Sequence, residues 1–225
     1  MMGFLVIKAA SKSSQPKTEI EPIVYVIDDD PGIRQALGRL FRSVGLRVEL
    51  FTSANELLQR DLPAVPSCLV LDIRLPGLSG FDLHAELTKA NIQIPIIFVT
   101  GHGDIPMSVR AMKAGAIDFL TKPFRDQDVL DAVTAAIARD RARLETDSSK
   151  LDVANLFGSL TARQREVMAL VTAGLMNKQV AARMGLSEIT VKIHRGHVMR
   201  QMHAKSLADL VKMAEALGIN RAKFS

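Results

Sequence analysis

One cysteine, no tryptophan, one tyrosine and no long hydrophobic run are what this 225-residue chain has to offer in those classes. A lone thiol, Cys68, excludes an internal disulfide, and without a CxxC or Cys/His cluster there is no basis for a structural zinc site. Cys68 is expected to be a small residue at a strand edge. The longest apolar stretch, residues 94–99, is interrupted by Pro95 and falls far short of the roughly 20 residues that cross a bilayer. Near the start, the apolar patch at residues 4–7 is closed by Lys8 before it reaches the length of a signal-peptide core. The expected compartment is the reducing cytoplasm, with no membrane partner. Neither a P-loop nor an HExxH motif occurs.

What is present suits two ordinary globular domains: 48% of residues are hydrophobic and 24% charged. The net charge of +5 is unevenly spread. Residues 21–146 are acidic overall, whereas residues 147–225 carry twelve Lys and Arg against six Asp and Glu. A small basic domain behind an acidic larger one is expected to meet a polyanion.

Residues 1–22, polar and Ser/Pro-containing from position 9, read as a flexible leader. From Ile23 short apolar runs alternate with helix-period stretches. The runs are IVYVI (23–27), RVELF (47–51), CLVLDI (68–73), IPIIFVT (94–100) and DFLTKP (118–123). In the first helical stretch Ile33, Leu37, Leu40, Phe41 and Val44 share one face. Five strands alternating with helices predict a doubly wound parallel α/β sheet over residues 23–143, with its ligand beyond the carboxyl ends of the strands. Residues 144–157, rich in charge and serine, read as a linker that begins with a fraying helix. Residues 158–225 show helix signals only. Thr161 with Gln164 forms a capping-box pattern, Asn177 precedes a second helix, and Ser187 and Ser206 open a third and a fourth.

Asp28 and Asp29 follow the first predicted strand, and Asp72 ends the third. A single acid at such a place reads as a loop cap. Three converging carboxylates repel one another and call for a cation, for which Mg²⁺ is the natural occupant because it prefers oxygen ligands. Thr100 and Lys122, at the ends of the fourth and fifth runs, complete a set able to handle a phosphoryl group. Asp72 supplies a nucleophile, Lys122 a compact cation and Thr100 a hydroxyl donor.

The segments VIDDDPGIR, LVLDIRLPGLSGFDL and FVTGHGDIPMSVRAMKAGAIDFLTKPF, with their spacing, resemble the receiver domains of two-component response regulators of the FixJ/NarL family over residues 23 to about 140. The resemblance implies a flavodoxin-like fold and phosphorylation of Asp72 by a sensor histidine kinase. It implies Mg²⁺ held by Asp28, Asp29, Asp72 and the backbone carbonyl of Arg74, and phosphoryl contacts from Thr100 and Lys122, with the Lys122–Pro123 bond cis. Phe119 stands at the family's aromatic switch position. Having no hydroxyl, it is expected to switch by steric fit alone. The resemblance also implies that phosphorylation pairs two copies through residues 105–133, where Met107, Val109 and Met112 offer apolar contact and Arg110, Lys113, Arg125 and Asp128 offer charges.

LTARQREVMALVTAGLMNKQVAARMGLS and EITVKIHRGHVMRQMHAKSLADLV resemble the four-helix LuxR-type helix-turn-helix domain. Its recognition helix is expected over residues 188–202, with Val191, Ile193, Val198 and Met202 as candidates for core contact although they cannot all face inward. By resemblance, Lys192 and Ile193 match base-reading positions, while Lys178, Thr190 and Arg200 match phosphate contacts, and Arg195 points toward DNA or solvent. Gly196 departs from the Lys that some relatives carry there. These resemblances imply a DNA-binding transcription regulator, an activator that works with RNA polymerase, and no enzyme beyond accepting and slowly losing a phosphoryl group. An aspartyl-phosphate phosphatase fits poorly, because Asp72 is followed by Ile73 and Arg74 where those enzymes carry Asp-x-Asp. The alternative is a regulator whose receiver is a phosphate-independent interaction module.

Overall fold

Every residue of strand β1 (Ile23–Ile27) is buried, the pattern of a strand covered on both faces, where β-branched side chains pack well. The computed structural model describes residues 21–219. After β1 come α1 (Pro31–Ser43), β2 (Arg47–Phe51), α2 (Ala54–Leu58), β3 (Ser67–Asp72), α3 (Gly80–Lys89), β4 (Ile96–Thr100), α4 (Ile105–Lys113), β5 (Asp118–Thr121) and α5 (Asp126–Ser159). All strand pairings are parallel, in the order β2-β1-β3-β4-β5. This is the flavodoxin-like doubly wound sheet that the alternating runs predict. Residues 1–20, and with them nearly all of the expected leader, lie outside the described residues.

Alternation along β1 builds two apolar layers. Ile23, Tyr25 and Ile27 face a cluster with Leu71, Leu83 and Phe98. Val24 and Val26 face the other, with Leu37, Phe41, Val129 and Val133. Cys68 is an interior residue of β3, fully buried in the second layer, and not at a strand edge as expected. Burial pushes its thiol pKa far up and makes it a poor nucleophile. The α1 stripe is as expected except for Val44, which caps the helix and is 52% exposed because the chain turns there toward β2.

The stretch expected as a linker is helical throughout, for α5 continues to Ser159. Its charges sit at helical spacing, so that Arg143 pairs with Asp147 at 3.2 Å. The chain divides into two compact units between Arg141 and Ala142. In the first, Val129, Ala132, Val133 and Ala136 of α5 pack on the sheet, and buried Asp140 accepts from the Ser67 amide at 2.9 Å. In the second, Leu156 and Phe157 pack against a core of Leu160, Met168, Val198, Met202 and Leu210. There the helices are α6 (Ala162–Thr172), α7 (Asn177–Met184), α8 (Glu188–Gln201) and α9 (Leu207–Ala216).

Thr161 and Gln164 form the expected capping box, and Ser187 and Ser206 cap α8 and α9. Gly185 ends α7 at φ +65°, a left-handed conformation that glycine adopts without steric cost. No described helix is long and apolar enough to cross a membrane.

Candidate functional site

Strand order reverses at β1 and β3, and the crevice beyond their carboxyl ends holds the acidic residues. Asp28 is 2% exposed and Asp72 6%, while Asp29 is exposed; one carboxylate oxygen from each lies within 4.8 Å of the others. Lys122 Nζ reaches both buried acids, donating to Asp28 Oδ2 at 2.6 Å and to Asp72 Oδ2 at 2.5 Å. Their other oxygens accept main-chain amides. Asp28 Oδ1 takes Asp30 N–H at 3.0 Å and Asp72 Oδ1 takes Arg74 N–H at 2.8 Å. Burial raises the pKa of Asp28 despite Lys122 beside it. At Lys122, burial disfavours the charge, but the hydrogen bonds to Asp28 and Asp72 outweigh it and hold its pKa above the ordinary value. Three carboxylates against one ammonium leave net negative charge on a cluster of oxygens, a donor set suited to a hard divalent cation.

Thr100, fully buried, ends β4 beside Thr121 of β5. Its carbonyl accepts the Lys122 amide at 2.8 Å and its hydroxyl accepts from the His102 amide at 3.3 Å. The Lys122–Pro123 bond is cis, as expected. Phe119 is half-buried against the layer that holds Phe98.

On α4, Ile105, Val109 and Met112 are exposed, while Met107 packs inward. The Arg110 guanidinium lies 4.4 Å over the Phe81 ring, and Lys113 is exposed. Arg125 and Asp128, expected to offer charges to a second copy, pair with each other through two bonds of 2.6 and 3.0 Å.

In the second unit, Val191, Val198 and Met202 are buried, whereas Ile193 is 54% exposed and takes no part in the core. It lies about half a turn round the helix from the inward stripe. Lys178, Lys192 and Arg200 are exposed. The Thr190 hydroxyl is engaged with Ser187 Oγ at 2.8 Å, and Arg195 donates to Asn177 Oδ1 at 3.2 Å, tying α8 to the start of α7.

Residues 24–134 match the family described as the response regulator receiver domain, and residues 158–214 match the luxR family of bacterial regulatory proteins. The chain is 62% identical to nodulation protein W of Bradyrhizobium diazoefficiens over 198 residues, covering 88% of this chain and 87% of that one. The chain is a response regulator of the FixJ/NarL type. It is also 40% identical to the transcriptional regulatory protein FixJ of Azorhizobium caulinodans over 196 residues, covering 87% of this chain and 93% of that one. Among solved structures it is similar to the response regulator StyR, with a TM-score of 0.78 and 46% identity over 87% of this chain and 98% of that one.

Three residues of this response regulator's pocket escape a reading of the sequence alone. A Cβ on Gly80 would lie 2.5 Å from the Asp72 carbonyl oxygen and 3.0 Å from Ile73 Cα, so only glycine lets α3 start against the end of β3. A Cβ on Gly103 would collide with the Thr121 side chain and come within 3.0 Å of the Phe119 ring. Arg34 on α1 donates to the carbonyls of Asp28 and Asp29 at 2.6 and 3.3 Å and so fixes the loop that carries both acids. The glycines of LSGFD and TGHGD are a faint signal, and Arg34 has none, because its role arises only when α1 folds back on the loop.

Proposed function

We propose that Asp72 accepts a phosphoryl group from a sensor histidine kinase and that this modification switches DNA binding by the second domain. The observation that carries this reading is Lys122 Nζ bridging the buried carboxylates of Asp28 and Asp72. Burying such a cluster costs stability, which marks it as a candidate functional site, and a nucleophile beside a compact cation suits phosphoryl transfer.

Asp28, Asp29, Asp72 and the Arg74 carbonyl would hold Mg²⁺, whose chemistry is to neutralise the equatorial oxygens of the phosphoryl group. In the transfer, Asp72 Oδ attacks phosphorus as the P–N bond to the kinase histidine breaks. Lys122 keeps its proton and turns to the new anion. Phosphorylation replaces the single charge of the Asp72 carboxylate with a phosphoryl group carrying about −1.5 to −2, which draws Lys122 and the Thr100 hydroxyl toward it. Phe119, packed between the sheet and the loop at Gly103, then follows as a steric switch.

The face bearing Val109, Met112, Arg110 and Lys113 pairs with a second copy, with Met107 supporting it from beneath. Arg125 and Asp128 exchange their internal ion pair for contacts across that interface. Residues 23–143 act as the receiver, 144–157 connect, and 158–225 bind promoter DNA. Lys192 and Ile193 read bases, while Lys178, Thr190, Arg195 and Arg200 hold phosphates. The outcome is activation of transcription with RNA polymerase, in the cytoplasm.

Incubation with Mg²⁺ and acetyl phosphate, followed by intact-mass spectrometry and peptide mapping, tests the site. One added phosphoryl group on Asp72, absent from Asp72→Asn, is expected. Label retained by the mutant would place the nucleophile elsewhere.

A further inference from the structure

Helix α8 turns two large apolar side chains into solvent. Ile189 is 73% exposed and Ile193 54%, at positions four apart and hence on one face. Exposed Lys192 stands beside them, and Gly196 lies one turn on. An added Cβ at Gly196 would meet nothing nearer than Arg200 Nη1 at 3.6 Å, so the face is shallow there. These isoleucines are not displaced core residues, because α8 already presents an inward stripe of Val191 and Val198, both fully buried. A single exposed isoleucine is ordinary on a protein surface. Two side by side in the first turns of a helix call for an occupant.

Charge identifies that occupant as a polyanion. The helix carries Lys192, Arg195 and Arg200 against one acid, Glu188, in a segment with twelve basic and six acidic residues. Apolar groups recessed between rows of phosphates are found in the major groove of B-form DNA, where the thymine C5-methyl is the apolar group on the base edges. Duplex RNA offers neither an accessible major groove nor that methyl.

Building on the DNA-reading role proposed for α8, we propose that Ile189 joins Ile193 as a specificity-determining residue, the two packing on thymine methyl groups. Lys192 takes the acceptor edge of a neighbouring guanine. Gly196 lets the helix backbone approach the groove floor. The preferred half-site therefore contains thymines next to the guanine that Lys192 reads.

The test uses the full chain, treated with Mg²⁺ and acetyl phosphate, to recover preferred duplexes from a random DNA pool. Each thymine of a recovered duplex is then replaced by deoxyuridine, which removes only the methyl group. Wild type is expected to lose about fourfold in affinity at each thymine it reads, the worth of one buried methyl. Ile189→Ser should lose one of these sensitivities, and Ile189→Val should keep it. Equal binding of every deoxyuridine duplex, or full methyl sensitivity in Ile189→Ser, would overturn the inference and leave the DNA-reading role standing. Recovery of no preferred duplex would overturn both.

Discussion

Asp28 and Asp72 are all but closed to solvent and share one ammonium, whereas Lys192 and Arg200 stand exposed on α8 with no ion pair among the described residues. In the first region each carboxylate oxygen of the two buried acids is matched by an internal donor, and a change in one charge must be answered by its neighbours. In the second the charges are left for a partner to match. A buried network is poised to respond to a covalent event, while an open one is poised to bind additively and in proportion to salt. On the proposed function, the two regions divide sensing from reading by how far each is desolvated.

Removing the shared cation should strain this contrast most. Lys122→Met leaves two buried carboxylates facing each other, and the variant should lose about 3 kcal/mol of stability in denaturant unfolding without divalent ions. Added Mg²⁺ should restore part of it, because the same oxygens accept a hard cation. A stability unchanged by the substitution would mean that the pocket charges are better solvated than their burial indicates.

Gly80→Ala comes next. Its new Cβ meets the main chain at Asp72, and overpacking of this kind costs about 2 kcal/mol. Equal stability in thermal and chemical unfolding would show that α3 can shift without loss. On the open side, Lys192→Ala should weaken binding to a preferred duplex by about 1.5 kcal/mol, within the range for a base contact, with little loss on bulk DNA. Equal losses on both duplexes, together with a reduced salt slope, would make it a phosphate contact.

The smallest effect is expected at His84, half-buried with its ring edge-on to Phe98 at 6.1 Å. Burial lowers its pKa from an ordinary value of 6.5. The unfolded chain therefore binds this proton more readily, so the group leaves stability untouched above pH 6.5 and erodes it as pH falls below that value. Unfolding titrations of wild type and His84→Gln should converge above pH 7 and separate toward pH 5, with wild type losing more. Parallel curves would mean that the imidazole is protonated as easily in the fold as out of it.

Much of this division was legible in the residues. The strand runs at 23–27 and 47–51 coincide with β1 and β2: β1, buried on both faces, leaves an uninterrupted apolar run, and the edge strand β2 leaves an alternating one, with Arg47 exposed and Glu49 partly buried. Asp28, Asp72, Thr100 and Lys122 could be singled out because each ends a strand or directly follows one, and a parallel sheet gathers its strand ends at one edge. The continuity of α5 was not legible, since its charges and serines resemble a linker until their helical pairing is seen. The outward turn of Ile193 was legible only in part: its apolar side chain made it a core candidate, while the resemblance to LuxR-type domains set it at a base-reading position. A half-apolar helix has more candidate core residues than its inward stripe can take, and packing decides among them. Gly80, Gly103 and Arg34 depend on approaches between distant segments, which no local pattern records.

The link between the two regions is tested most directly by measuring DNA affinity and oligomeric state together, by fluorescence anisotropy and light scattering, on wild type and Asp72→Asn with Mg²⁺ and with or without acetyl phosphate. A donor-dependent shift from monomer to dimer with tighter binding to a preferred duplex, in wild type alone, is the predicted result. Identical affinity and mass in the two proteins, with Asp72 of the wild type shown by mass spectrometry to be phosphorylated, would contradict it.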